Sequence, residues 1–461
     1  MSTAPRASTK KTPPPKYLAT RNACKLCTPL GACLALRGIE GALPFLHGSQ
    51  GCATYMRRYI ISHFKEPMDI AASGFSEAST IFGGEQNLHR GLRNVTSQYH
   101  PALIGIATTC LTETIGEDVA LLLRSYEAAC EHSESPLLVP VSTPSYRGTH
   151  IDGFHATVKA VVEQLATPVG SKGEHINLLP GMASAADIRY LKEVATDFSV
   201  ETVLLPDYSE TLDGPVLEQY HKIPAGGTPI AAIRSSASAK ATIELGRTIA
   251  SKPTAAAFLS ERFSVPSHRL GMPIGVRETD AFFNALEHLT GRSAPQKHAG
   301  ERGRLIDAYI DGHKYVSGKR AVIFGEEDIV VGLAALLSEI GVVPVLCASG
   351  GESGSFAKSI AAVTADVDGP VTVREGADFM SIAAEARELA PDFLIGNSKG
   401  YSAARQLGVP LVRVGFPIHD RIGGQRILHL GYRGAQQLFD RIVNTLIEFK
   451  QQSSPVGYSY M

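Results

Sequence analysis

Residues Leu88–Cys110 read LHRGLRNVTSQYHPALIGIATTC. Leu88, Leu92, Val95 and Tyr99 recur at steps of four, three and four, which puts all four on one face of a helix. The run that follows, Ala102–Ala107 (ALIGIA), is short and apolar throughout, the mark of a buried strand. Thr108-Thr-Cys110 leaves that strand at its carboxyl end, the edge where open α/β sheets present ligands. Helix, buried strand and thiol-bearing loop in that order predict a parallel sheet covered by helices.

The same alternation continues along the chain. Strands are predicted at Leu137–Val141, Ile176–Leu179, Val203–Leu205, Ala321–Phe324, Val342–Leu346, Phe393–Ile395 and Leu411–Val414, with helices between most of them. Charged or Gly-rich seams at Pro168–Gly173 and Gly291–Gly303 divide the chain into blocks of ordinary domain size. The expectation is an α/β protein of three Rossmann-like domains with parallel sheets. A flexible tail covers residues 1–20, rich in Pro, Lys, Thr and Ser. The first domain covers 21–168, the second 169–300, and the third 301–461, closing with a helix and a tail. No short repeat has a fixed period, which argues against a solenoid.

Composition narrows the function classes. The 461 residues carry 44 Lys and Arg against 45 Asp and Glu, so no basic surface for nucleic acid or an anionic membrane is implied. No apolar run approaches the roughly 18 residues of a membrane span. The opening MSTAPRASTKKTPPPK has charge and proline but no apolar signal core, and a cytoplasmic protein is expected. A hydrophobic content of 44%, with 44 Gly and 27 Pro, suits a large core joined by tight turns.

The cysteines are unevenly spread. They stand at 24, 27, 33, 52, 110, 130 and 347, four of them within the first 52 residues, where even spreading gives about one. An odd count without a secretory signal argues against a disulfide framework. Cys27 precedes Thr-Pro-Leu-Gly-Ala, where Pro29 suits the first turn of a helix. Cys52 ends HGSQGC (47–52), whose glycines permit a sharp loop, and Met56, Tyr59, Ile60, His63 and Phe64 mark the helical face after it. With Cys110, three loop cysteines can converge. Helix N-termini and backbone N–H groups stabilise thiolates, lower their pKa and favour bonds to iron or another soft metal. The plainer alternative is that free cysteines pack as small hydrophobes. Cys24-Lys-Leu-Cys27 is a lone CxxC and gives little support to a zinc ribbon. Cys33, Cys130 and Cys347 read as core.

Several motifs in order resemble nitrogenase component 1 proteins of the β type. They are Cys27-Thr-Pro-Leu-Gly-Ala, HGSQGC, His63-Phe-Lys-Glu-Pro67, Phe82-Gly-Gly, Thr108-Thr-Cys110 with Glu113, and Ile115-Gly-Glu-Asp118. Thr143-Pro-Ser-Tyr146, Gly415–Arg421 (GFPIHDR) and Gly431-Tyr-Arg-Gly434 extend the resemblance nearly to the C-terminus. It implies that Cys27, Cys52 and Cys110 face three cysteines of an α-type partner and share an iron–sulfur cluster with them. It also implies a further ligand in Ser145, matching a serine that can bind the oxidised cluster, and a docking contact for a reductase in Phe82. The plainer alternatives are a turn hydroxyl bonding its own backbone for Ser145 and core packing for Phe82.

In the family, the α-type chain carries a mid-chain cysteine and a histidine that hold the large metallocluster. Here no cysteine lies between Cys130 and Cys347, which favours the β side, and no catalytic residue is assigned. His419 and Asp420 are read as structural or interface residues, since one His beside one Asp lacks a nucleophile or metal constellation.

Within the β type, Asn22-Ala-Cys-Lys-Leu-Cys27, Leu270–Asp280 (LGMPIGVRETD) and the ending Ser454–Met461 are most similar to NifN scaffold subunits. That resemblance implies a role in maturing the iron-molybdenum cofactor. The partners would be a NifE-like α-type subunit in a heterotetramer and an ATP-dependent NifH-like iron–sulfur reductase. The cofactor precursor would be held mainly by the partner, and the shared cluster would be 4Fe–4S or a P-cluster-like 8Fe group. The alternatives are a β-like subunit of a catalytic nitrogenase or nitrogenase-like reductase, including carbon–sulfur bond reduction, and a cluster-free α/β binding protein.

Overall fold

The computed structural model describes residues 22–129, 135–168, 172–216, 218–251 and 253–456. The tail expected over 1–20, Cys130 and the last five residues of the Ser454–Met461 ending lie outside the described residues. Three sheets carry the fold. The first contains β1 (Ala42–His47), β2 (Ala71–Ala72), β3 (Leu103–Thr108) and β4 (Leu137–Val141) in the order β2-β1-β3-β4. The second contains β5 (Ile176–Leu179), β6 (Thr202–Leu204), β7 (Ala241–Leu245) and β8 (Ser267–Leu270) in the order β6-β5-β7-β8. The third contains β9 (Arg320–Gly325), β10 (Val343–Ser349), β11 (Thr372–Arg374), β12 (Phe393–Gly396) and β13 (Leu411–Arg413) in the order β11-β10-β9-β12-β13. Every pairing within these sheets is parallel, as the alternating pattern predicts. Each strand predicted from sequence is present within a few residues of its expected bounds. Among the described residues no helix is long and apolar enough to cross a membrane.

Helices of the first lobe set the site. They are α1 (Thr28–Arg37), α2 (Gln50–Phe64), α3 (Glu77–Phe82), α4 (Glu85–Tyr99), α5 (Cys110–Ile115), α6 (Val119–Ala129) and α7 (His150–Leu165). The helix α4 buries Leu88, Leu92 and Val95, the face read from their spacing. All ten residues of α1 are buried, because the helix lies between the first sheet and α7. Two glycines allow the crossing. A Cβ on Gly31 would stand 1.6 Å from the His150 carbonyl oxygen, and one on Gly153 would stand 1.9 Å from that of Thr28. The two backbones therefore touch without side chains between them.

That contact fixes the segment ahead of α1. Leu26 N donates to His150 Nδ1 at 3.3 Å, and His150 N donates to the Leu26 carbonyl at 3.0 Å. On the other side, Cys24 N donates to the Ala377 carbonyl at 3.0 Å, so the segment also runs along the third lobe. Nδ1 of His150 accepts, so its proton is on Nε2, which donates to Glu326 at 3.1 Å. A second seam joins α2 to the C-terminal part. Ile418 N donates to His63 Nδ1 at 2.9 Å, and Gln425 Nε2 donates to the Phe64 carbonyl at 2.9 Å. A third is buried Asp187, whose carboxylate accepts from His429 N, His429 Nδ1 and Leu430 N at 2.6–3.0 Å. One continuous apolar core runs through all three sheets.

Two predictions follow from this packing. Gly153→Ala must push α7 off α1 and is expected to cost about 3 kcal/mol, the upper end for overpacking. Gly303→Ala, at an exposed position of the helix Gln296–Val316 with open space at its Cβ, is expected to gain about 0.5–1 kcal/mol. Chemical denaturation of the two variants checks both signs. Burial pushes His63 from its ordinary 6.5 down to about 3. The folded chain then binds fewer protons at this site than the unfolded one over that window. Its contribution is complete above pH 6.5 and is lost as pH falls towards 3, at up to about 1.4 kcal/mol per pH unit. His63→Gln is expected to flatten that slope in denaturation curves taken across the window.

Candidate metal centre

Three helix starts bring the thiols together. Cys27 is the N-cap of α1, with a proline in the first turn as predicted. Cys52 is the third residue of α2, after an N-cap in which Ser49 accepts from Gly51 N at 3.3 Å. Cys110 opens α5, whose N-cap is Thr109. Both sheet-derived loops leave carboxyl ends, β1 for Cys52 and β3 for Cys110, and these strands are neighbours in the sheet. Cys27 and Cys52 are half-buried and Cys110 is exposed.

The helix starts lead one to expect a lowered thiol pKa, yet Cys52 is pushed up. Burial is the first cause, and the sulfurs of Cys27 and Cys110 follow. The correction is itself geometric, since the sulfurs of Cys27 and Cys110 stand near enough to oppose the ionisation of Cys52. Three adjoining thiolates need an outside positive charge, which a bound iron group supplies.

Ser145 lies between two of these cysteines. Its amide donates to Cys110 Sγ at 3.3 Å, and its Oγ accepts from Thr28 N at 3.2 Å. The hydroxyl thus bonds the start of α1 and not its own turn. Thr143 ties the segment down by bonding both the Oγ1 and the carbonyl of Thr108 at 2.8 and 2.6 Å. Glu113 accepts from Thr108 Oγ1 and Ser142 Oγ, both at 2.5 Å, and braces the same corner. Sequence reasoning quoted Glu113 within a motif but gave it no role.

Other candidates stand elsewhere. Phe82 ends α3 at 86% exposure beside Ile81 at 74%, so core packing does not describe it. Cys24 is buried against the third sheet, its thiol pushed up to about 12 by burial, and is not part of the Cys27 face. Cys33 and Cys347 are fully buried, and burial pushes both thiols well up. Asp420 is taken up by Arg413 at 2.6–2.9 Å and by the Ser398 hydroxyl.

A cavity of about 560 Å³ opens at the carboxyl ends of β4, β9 and β10, with His150, Glu326 and Arg147 in its wall. Its side towards Thr28 and Pro144 adjoins the thiol face. Sequence reading gave no sign of it, because its wall comes from three lobes.

Among the described residues, no three His, Cys, Asp or Glu side chains close around a single metal ion. Cys27, Cys52 and Cys110 are the residues that would hold an iron–sulfur group at this face, with Cys110 on its exposed side.

The family model for nitrogenase component 1 type oxidoreductases matches residues 27–447. The chain is 36% identical to the nitrogenase molybdenum-iron protein beta chain of Clostridium pasteurianum, over 93% of each chain. It is 34% identical to the nitrogenase vanadium-iron protein beta chain of Trichormus variabilis, over 91% of this chain and 92% of that one. A solved structure described as nitrogenase Cp1 at pH 6.5 superposes with a TM-score of 0.93 at 34% identity, covering 98% of this chain and 99% of that one. A second chain, from nitrogenase Cp1 at pH 5, shares the fold with a TM-score of 0.72 at 15% identity.

Alkylation tests the placement of the thiols. In the metal-free folded chain, iodoacetamide is expected to label Cys110 first and Cys52 more slowly, with a rate that rises with pH as thiolate forms. Cys24, Cys33 and Cys347 are expected to react only after denaturation. Peptide mass spectrometry of timed samples reads the order.

Proposed function

The chain belongs to the nitrogenase component 1 type oxidoreductase family as a β-type chain, and from that premise we propose that it is a NifN-like subunit of the scaffold on which the iron-molybdenum cofactor matures. The observation that carries the shared-cluster part of this reading is the half-open face of Cys27, Cys52 and Cys110. On this reading the three thiolates hold half of an interface iron–sulfur cluster, 4Fe–4S or P-cluster-like 8Fe. A NifE-like α-type partner supplies the other half in a heterotetramer. The bound cluster would supply one-electron storage and transfer.

The chain's own residues bind and orient. The Ser145 amide donates to Cys110 Sγ, and Ser145 Oγ stands within reach of the same face as a candidate ligand. Glu113 and Thr143 hold that corner in place. Phe82 offers an exposed apolar contact for an ATP-dependent NifH-like reductase. No side chain of this chain is assigned substrate chemistry, and the cofactor precursor is held mainly by the partner. Similarity of residues 22–27 and 270–280 to NifN subunits favours the scaffold.

A second reading is a β-like subunit of a catalytic nitrogenase or nitrogenase-like reductase. The relatives, named as molybdenum-iron and vanadium-iron protein beta chains, favour it, as does the presence of all three cysteines.

The test is an anaerobically purified complex supplied with reductase and ATP. Cofactor maturation without multi-turnover reduction of dinitrogen, acetylene or small thioethers is the expected result. Sustained reduction by the complex would establish the catalytic reading instead. Cys52→Ala is expected to lose most of the cluster iron, and full iron retention would remove the shared-cluster assignment.

A further inference from the structure

Behind the exposed Phe82 lies a buried polar chain that neither the fold nor the thiol face accounts for. Gly83 turns the backbone at φ +92°, and Gly84 follows as the N-cap of α4. A Cβ on Gly84 would stand 2.2 Å from the Phe75 ring, so the turn lies flat on that ring. The Phe75 ring in turn meets His47 edge-on at 5.0 Å. Gly84 N donates to Glu117 Oε1. The other oxygen of Glu117 lies 2.5 Å from His47 Nε2.

The proton positions follow from the partners. A carboxylate only accepts, so His47 carries its proton on Nε2. Its Nδ1 then accepts from the Ser73 hydroxyl at 3.1 Å, and Ser73 Oγ accepts from Gly48 N at 2.9 Å. The Gly48 carbonyl is a second, longer acceptor for the Ser73 hydroxyl at 3.4 Å. Burial pushes His47 below its usual pKa against the pull of Glu117, so the ring pairs as a neutral donor.

His47 also touches both cysteine loops. It is the last residue of β1 and wholly buried, and Gly48 after it begins the loop to Cys52. Its carbonyl accepts from Thr109 N at 3.2 Å and Thr112 Oγ1 at 3.1 Å, which are groups of the first turn around Cys110. Thus one residue joins the start of both thiol-bearing loops to the turn that presents Phe82. Buried polar networks of this kind often add little stability over apolar packing and serve mainly to fix geometry.

We propose that Glu117 and His47 are positioning residues that hold the Phe82 turn in register with the loops of Cys52 and Cys110, so that a docked reductase is set at a fixed geometry from the cluster thiols. The proposal rests on the reading of Phe82 as a docking contact. The step it serves moves one electron from the reductase's reduced iron–sulfur group to the oxidised shared cluster, and no bond in this chain is made or broken. Spatial continuity alone does not show coupling, so the test must separate electron entry through the reductase from electron entry by another route.

The anaerobic complex carrying Glu117→Gln is reduced in a stopped-flow instrument by two drives, reductase with ATP and dithionite alone. Iron content and the cluster's electron paramagnetic resonance signal are measured alongside. The expected result is reductase-driven reduction slowed about tenfold or more, as for a misplaced group remote from the reacting centre. Dithionite-driven reduction, iron content and spectrum are expected to be unchanged. Ser73→Ala, which loosens His47 from its other side, should show a smaller loss in the same arm and serves if Glu117→Gln folds poorly. A normal reductase-driven rate in both variants overturns the proposal. So does an equal fall under both drives, because a loosened cluster site answers to both. Phe82→Ala separates the underlying reading: a normal reductase-driven rate there rejects the docking contact itself. A slow Phe82→Ala beside a normal Glu117→Gln rejects only the positioning role.

Discussion

The rest of the structure depends on the crossing of α1 and α7 at Gly31 and Gly153. Where a helix pair normally interposes two layers of side chains, here each glycine faces the carbonyl oxygen of the other helix. The contact sinks all of α1 into the core. It also brings the N-cap cysteine of α1 beside the Thr143–Arg147 corner, where the Ser145 hydroxyl takes up Thr28 N. Position along the chain would leave Cys27 and Cys110 unrelated. The crossing makes them neighbours of one serine.

Around that crossing, buried polar groups fix how the lobes meet. His150 bonds Leu26 twice and reaches Glu326 of the third lobe. Asp187 of the second lobe takes three bonds from His429 and Leu430. Such groups are costly to bury unless every partner is in place. They therefore penalise any other arrangement of the lobes more strongly than apolar contacts, which tolerate sliding. The thiol face gains a defined geometry from this, because Leu26 precedes Cys27 directly.

Much of the architecture was legible where burial is two-sided. The runs at β3 and β12 are apolar because both faces of a parallel sheet are covered. The strands not foreseen, β2 apart, carry polar or proline residues. β7 contains buried Glu244, which is matched by Arg269 of β8 at 2.9 and 3.2 Å and by Thr254 at 3.0 Å. The pair cancels in space but breaks the apolar pattern of both strands. β1 contains Pro44, and β2 is only two residues long. At the site, the positions of the three cysteines at loop or helix starts were readable from Pro29 and the glycines of HGSQGC. The rise in the Cys52 pKa was not, because it arises first from burial and then from sulfurs 25 and 58 residues away in sequence. Nor was the His47–Glu117 link, since neither residue type at that spacing carries a signature outside the fold.

The half-open thiol face also bears on how such a chain must be produced. Adjoining thiols at a surface are the groups that oxidise to sulfenic acid and go on to disulfides. With Cys110 exposed and Cys52 only half-buried, any copy left uncovered ages chemically while its buried cysteines stay intact. Surplus synthesis of this chain over whatever covers the face would thus accumulate damaged material instead of a usable reserve. Matched dosage of the two genes, and recombinant expression of both from one transcript, would then be a requirement set by the placement of one exposed sulfur.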